Sequence, residues 1–415
     1  MRSIRKAIVG VATLALALST LPSGAVAGSD GKRDNNKVIR FATFNASLNR
    51  SSAGQLIQDL STPNNAQAKT VAEIIQRNRP DVLLLNEFDF DDGHEALRLF
   101  QDNYLSVKQN GARSINYNYS YTAPSNTGIP SGFDLNNDGS VGGPDDAFGF
   151  GFFPGQFGMA VYSRYPIDFD GIRTFQNFLW ADMPGVNLPD DPSTAAPNDW
   201  FSPAELEVVR LSSKSHWDVP IEIGRRTVHV LAAHPTPPVF DGPEDRNGLR
   251  NFDEIGFWAD YVKPNSSDYI YDDEGETGGL EPGEPFVIMG DYNSDPHDGD
   301  SVPGAIQQLL ELPGLRTGIT PSSPGGTEQA ELQGGINDSH ISDPAFDTAD
   351  FSDTAPGNLR ADYVLPSRPL KLLDAGVFWP LQSNRFFPLV GVFPFPSSDH
   401  RLVWIEVKVP GSGRR

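Results

Sequence analysis

Residues 285–296 read PFVIMGDYNSDP, and this stretch decides what kind of fold to expect. Phe286 to Met289 form a continuous apolar run bounded by Pro285 and Gly290. Such a run describes a strand buried on both faces, as in the interior of an α/β protein. Directly after it come Asp291 and Asn293, two apart on a turn, so both point the same way.

Outward from there the pattern repeats. VIRFATFN (38–45) ends in Asn45, DVLLLNEF (81–88) delivers Glu87, and RTVHVLAAH (226–234) ends in His234. FGMAVYS (157–163), ADYVLP (361–366, carrying Asp362) and LVWIEV (402–407) also read as strands, and PSSDH before the last brings Asp399 and His400. AKTVAEIIQRNR (68–79) spaces Val71, Ile74 and Ile75 for one face of a helix, and a second helix is expected over roughly 244–263. Gly/Pro/Asp-rich stretches near 101–155, 175–204, 263–284 and 317–358 separate these elements. They read as loops on one compact α/β domain, not as a second domain.

The chain ends bound the domain. Arg2, Arg5 and Lys6 precede an apolar run from Ala7 to Leu21, followed by Ala25-Val26-Ala27. That is the pattern of a secretory signal peptide over 1–27, and it predicts a secreted or periplasmic protein with no stable membrane anchoring. A polar leader (28–37), a domain (38–409) and a short tail (410–415) follow, and a monomer is expected. The 415 residues include no Cys, so stability must come from a core and bound metal, not from disulfides. Formal net charge is −22, and −25 once the three signal-peptide bases are removed. Such a balance opposes tight, non-specific nucleic-acid binding, yet admits an anionic substrate where divalent ions invert the local field.

A lone Asn, Asp or His at a strand end more often caps a turn than performs chemistry. Six strand ends carrying such residues are harder to dismiss, because α/β proteins build sites where strand ends converge. The set TFN, NEF, GDYNSDP, RADYVLP and SSDHRLVW resembles the endonuclease/exonuclease/phosphatase superfamily, over about Val38 to Val409. That resemblance implies a four-layered α/β sandwich with two central mixed sheets. It also implies metal-dependent phosphoester hydrolysis, with Glu87 and Asp399 on the divalent ion and Asn45 beside them. Oxygen ligands favour Mg²⁺, Mn²⁺ or Ca²⁺ over zinc. His400, oriented by Asp362, is expected as general base or charge stabiliser. His234 would contact the phosphate or the leaving group, and Asp291 and Asn293 would position water. At Ser47, two residues past Asn45, the family's nuclease branch often has an acid or Arg, which leaves the number of metals open.

Three further features bear on substrate and stability. Arg246 and Arg250 lie one turn apart near the start of the second helix, as an Arg clamp on phosphate or as a solvated pair balancing Glu244, Asp245 and Asp253. His216, in KSHWDVPI, is either a site residue or an ordinary strand residue. FDLNNDGSVGGPDD (133–146) has the ligand order of a calcium loop, with Asp134, Asn136, Asp138, Ser140 and Asp145, but no amphipathic helices flank it. It is expected as a structural Ca²⁺ brace, the alternative being an ion-free Asx turn. A secreted phosphomonoesterase or phosphodiesterase is the leading reading. An extracellular nuclease, with nucleic acid as substrate, comes second and a lipid-headgroup phosphodiesterase third. An inactive calcium-braced binding module is the alternative of a different class.

Overall fold

The computed structural model describes residues 36–413, so the expected signal peptide, nearly all of the leader and the end of the tail lie outside the described residues. The strands are β1 (Lys37–Leu48), β2 (Val82–Phe88), β3 (Tyr119–Tyr121), β4 (Met159–Ser163), β5 (Arg173–Thr174), β6 (Trp217–Ile223) and β7 (Arg226–Ala233). They continue with β8 (Phe286–Asp291), β9 (Ala349–Asp350), β10 (Asn358–Leu359), β11 (Asp362–Pro366), β12 (Lys371–Val377) and β13 (Val403–Val409). Six of them form one sheet in the order β12-β13-β1-β2-β4-β3, and five form another, β11-β8-β7-β6-β5. Each sheet is mixed. The pairs β1–β2 and β7–β8 are parallel, whereas β1–β13 and β8–β11 are antiparallel.

Side-chain alternation explains the layering. In β1, Ile39 and Phe41 point into a core shared with Val219, Val230, Val287 and Met289 of the second sheet. The intervening Ala42 and Phe44 point the other way, onto Val71, Ile74 and Ile75 of the helix Ala66–Asn78. In the second sheet Leu231, Ala233 and Ile288 likewise face outward onto Ile255, Trp258 and Ala259 of the helix Arg246–Val262. A period of two on each strand thus buries both faces of both sheets, at ~1.5–3 kcal/mol for each large aliphatic side chain. The result is the expected helix–sheet–sheet–helix sandwich.

The boundaries differ from the reading in explicable ways. The second helix begins at Arg246, because Asp245 takes a left-handed φ of 53° and stands outside it. β12 escaped notice because KLLDAGV, an edge strand exposed over most of its length, lacks alternation. Among the insertions, 101–155 and 175–204 are tied together. Asn126 Nδ2 donates to the carbonyls of Gln176 and Ser212, both at 2.7 Å, and the Asn126 amide donates to Lys214.

Candidate active site

Parallel pairing makes β1 and β2 end together, and β7 and β8 end together. Asn45, Glu87, His234 and Asp291 therefore reach the same edge of the sandwich. Asp362 opens β11 directly opposite Asp291 in the antiparallel register, and His400 lies three residues before β13. Three non-glycine residues here adopt left-handed backbone: Ser47 (φ 47°), Glu87 (φ 57°) and Asn293 (φ 51°). Such conformations cost energy and persist where packing enforces them, as at functional sites. At Glu87 the conformation breaks the strand alternation, and Asn45 Nδ2 meets Glu87 Oε1 at 3.1 Å and Asp291 Oδ2 at 2.9 Å.

Two carboxylates bracket His400. Its Nδ1 lies 2.8 Å from Asp362 Oδ2, and its Nε2 faces Asp291 Oδ2 at 3.6 Å. Asp362 is held in turn by Thr348, whose hydroxyl donates to Oδ2 at 2.8 Å and accepts the amides of Ala361 and Asp362. Burial alone would lower the His400 pKa, but Asp362 and Asp291 outweigh it and raise the pKa well above the ordinary value. His234 is the opposite case. Its Nε2 is 3.4 Å from Asp291 Oδ2, its Nδ1 has no partner, and burial, Lys214 and His400 hold its pKa well below the ordinary range. Asp291 is raised, chiefly by burial, and so can take a proton near neutrality. Its Oδ1 accepts the Asn293 amide at 3.0 Å, and Asn293 Nδ2 donates to Pro235.

The family model for the endonuclease/exonuclease/phosphatase family matches residues 42–400. The chain belongs to that family. No curated protein sequence matches it. Among solved structures, a family protein from Beutenbergia cavernae is 17% identical with a TM-score of 0.46, over 90% of this chain and 72% of that one. A 3′ phosphatase from Neisseria bound to product DNA hairpin is 16% identical with a TM-score of 0.41, over 89% and 99%. A beta toxin variant from Staphylococcus aureus with bound magnesium ions is 15% identical with a TM-score of 0.43, again over 89% and 99%.

Enzymes of the endonuclease/exonuclease/phosphatase family are phosphoester hydrolases that use divalent metals, and the donor set here fits such an ion. Glu87 is raised above the ordinary carboxylate range first by burial and then by Asp399, with Asp291 adding to it, so three acids share one space. A cation relieves that crowding. Asn45 presents its amide nitrogen to two of these acids, but the oxygen and nitrogen of a side-chain amide exchange by a simple flip. The flipped amide would offer a cation its oxygen alongside the carboxylates. Asp291, Asp362 and His400 also offer ligand atoms within 4.8 Å of one another. There, however, His400 Nδ1 and Asp362 Oδ2 are already joined to each other and to Thr348. A cation could be held either by that group or by Glu87, Asn45 and Asp399.

Of the other candidate residues, Arg246, Arg250 and Asp145 line a cavity that Glu87 and His234 also line, whereas His216 does not. His216 is buried in the second core, its rings 4.9 Å and 5.1 Å from Phe257 and Trp258, its Nε2 2.9 Å from the Glu254 carbonyl, and its pKa pushed down to about 4 by burial. Arg250 donates to the carbonyls of Leu211, Phe148 and Arg210, which ties the insertions to the helix. Arg246 is paired with Glu244. In the 134–145 loop, Asp134 and Asp138 accept backbone amides of Asp138, Gly139 and Ser140, and Asn136 Oδ1 accepts Asp138 N. Asp145 turns away, and Asp146 closes the loop by accepting the amides of Leu135 and Gly142. The reading of residues missed Thr348, which orients Asp362, and Lys214, since nothing in DTAD or SSKSH marks either. It also missed Asn49, which donates to Glu87 Oε2 at 2.7 Å, and Ser398, which donates to Asp399 at 3.3 Å.

Proposed function

We propose that the protein is a secreted, divalent-metal-dependent phosphoester hydrolase. The observation that carries this reading is the His400 ring held between Asp362 and Asp291, beside the Asn45–Glu87 pair. A divalent cation held by Glu87, Asp399 and Asn45 would neutralise phosphoryl oxygens. His400, fixed by Asp362, donates its Nε2–H to a phosphoryl oxygen and stabilises charge as it develops. Asp291, anchored by the Asn293 amide, accepts the proton of the attacking water. With its Nε2–H turned to Asp291, neutral His234 leaves Nδ1 free as an acceptor, suited to a water or to the hydroxyl of a protonated leaving group. Of its two expected roles, general base or charge stabiliser, His400 thus takes the second and Asp291 acts as base, because carboxylates facing both ring nitrogens favour the protonated, donating ring.

Export rests on the charged-then-apolar start of the chain and its Ala25-Val26-Ala27 site. An extracellular form whose N-terminus lies before Ala25 would contradict it. The activity is tested by assaying the mature chain against a phosphomonoester, a bis-ester, plasmid DNA and sphingomyelin, with Mg²⁺, Mn²⁺ or Ca²⁺ and with chelator. Cleavage that chelator abolishes is expected. Failure on every ester with every metal would sink the reading.

A further inference from the structure

Beside the carboxylate cluster opens a cavity of about 570 Å³, a size suited to a small ligand. Glu87, His234, Lys214, Ser213 and Thr236 line its inner end, at the strand edge; most of the rest is apolar, Phe148, Phe157, Trp180 and Phe201 among it, with Asp145, Arg246 and Arg250 as the charged exceptions. Phe150 and Phe240, 50% and 86% exposed, stand at the mouth. The insertions tied by Asn126 and Arg250 thus build an apolar chamber that opens onto the phosphoester site.

The inner end is rich in unpartnered polar atoms. Ser213 Oγ, Thr236 Oγ1 and His234 Nδ1 are buried without a hydrogen bond, an arrangement costly unless a ligand or water completes it. Lys214 is only 7% exposed, and no carboxylate among the described residues lies within ion-pair distance of it. Glu254, an acid close by, already accepts the amides of Ser213 and Thr236, at 2.6 Å and 2.5 Å. Burial lowers the Lys214 pKa, and Glu254, Asp291 and Glu87 oppose that. An unpaired buried ammonium beside the carboxylate cluster calls for an anion.

We propose that this chamber selects compact phosphoesters bearing an apolar alkyl or aryl group, with Lys214 gripping a phosphoryl oxygen while the apolar group fills the aromatic walls. The inference rests on the phosphoesterase reading and names its substrate class.

Binding of alkylphosphonates in Mg²⁺, measured by calorimetry, tests it without turnover. Hexylphosphonate is expected to bind at least tenfold more tightly than methylphosphonate. Ala147→Phe, which adds a ring to the chamber wall, should collapse that ratio, and a ratio is insensitive to the fraction of folded protein. Lys214→Met should weaken both ligands about tenfold and leave the ratio intact. The variant should fold, since removing an unpaired buried charge does not destabilise. Equal binding of the two phosphonates overturns the apolar subsite, and undiminished binding by Lys214→Met overturns the role of the lysine. If the ratio holds but no ester is cleaved, the subsite stands and the hydrolase reading falls. If DNA is cleaved while the phosphonates bind equally, the protein is a nuclease and the subsite is wrong.

Discussion

His400 serves its neighbours through two nitrogens, so its loss and the loss of its orienting acid should look alike. His400→Ala is expected to lower kcat by roughly two to four orders of magnitude, the usual scale for such a group, with less effect on substrate affinity. Asp362→Asn should be similarly damaging, because an amide can hold the ring in the wrong tautomer. The double variant should be little worse than either single one, since both act on one proton. More than about a tenth of wild-type turnover in His400→Ala would show that Asp291 and His234 suffice without it. A different residue sets a pH dependence. Asp347 is buried among Asp295, Asp298, Asp343 and Asp350, and burial first and those acids second push its pKa up to about 9. An acid raised on folding keeps its proton in the native state while the unfolded chain releases it. Stability attached to it is therefore present below about pH 4 and declines as pH rises towards 9. Asp347→Asn should melt higher than wild type at pH 8, and by less at pH 5. A Tm difference that does not change with pH would rule out this account.

At the scale of elements, the site depends on how the helix Arg246–Val262 clamps two loops. Glu254, fully buried on that helix, accepts the amide of Ser213 from one insertion and of Thr236 from the segment after β7. Those segments carry Lys214 and flank His234. In Glu254→Gln one acceptor becomes an NH₂ group pointed at a backbone amide, at a cost of ~1–3 kcal/mol. Denaturant titration should show that loss, and kcat/KM should fall with it. Unchanged stability would mean the two loops are held by other contacts. These strands were legible, because β2 and β8 carry continuous apolar runs and β1 and β7 alternate apolar with polar residues. β12 was not legible, because an edge strand with Lys371, Leu373 and Asp374 exposed shows no apolar pattern; it pairs with β13 and packs Leu372, Ala375 and Val377 on the core.

Across the whole molecule, acids outnumber bases, and the same excess recurs in miniature at the strand ends. Glu87, Asp291 and Asp399 repel one another in a space that burial keeps poorly solvated. A bound divalent ion should therefore stabilise the fold as well as enable chemistry, by mass action on the native state. Millimolar Mg²⁺ should raise the Tm and chelator should lower it. Glu87→Gln should melt higher than wild type in chelator, yet gain less from Mg²⁺. A wild-type Tm indifferent to divalent ions up to millimolar concentration would remove the cation from this cluster. That readout does not depend on knowing the substrate.

By itself the sequence determined the long central strands, two helices and the polar residues at the strand ends. The reason is that burial of both sheet faces writes directly into hydrophobic pattern, and chemistry-bearing residues interrupt it. It placed Asn45, Glu87, His234, Asp291, Asp362 and His400 at strand ends, and the parallel pairs β1–β2 and β7–β8 then bring those ends to one edge. Only the tertiary structure decided which charges are satisfied. Arg250 meets carbonyls 39 to 102 residues away, His216 is enclosed by aromatic rings, and Asp146 rather than Asp145 closes its loop. Lys214 becomes notable only because the acid beside it is occupied by distant amides. Such pairings join segments remote in the chain, and local composition holds no record of which partner arrives first.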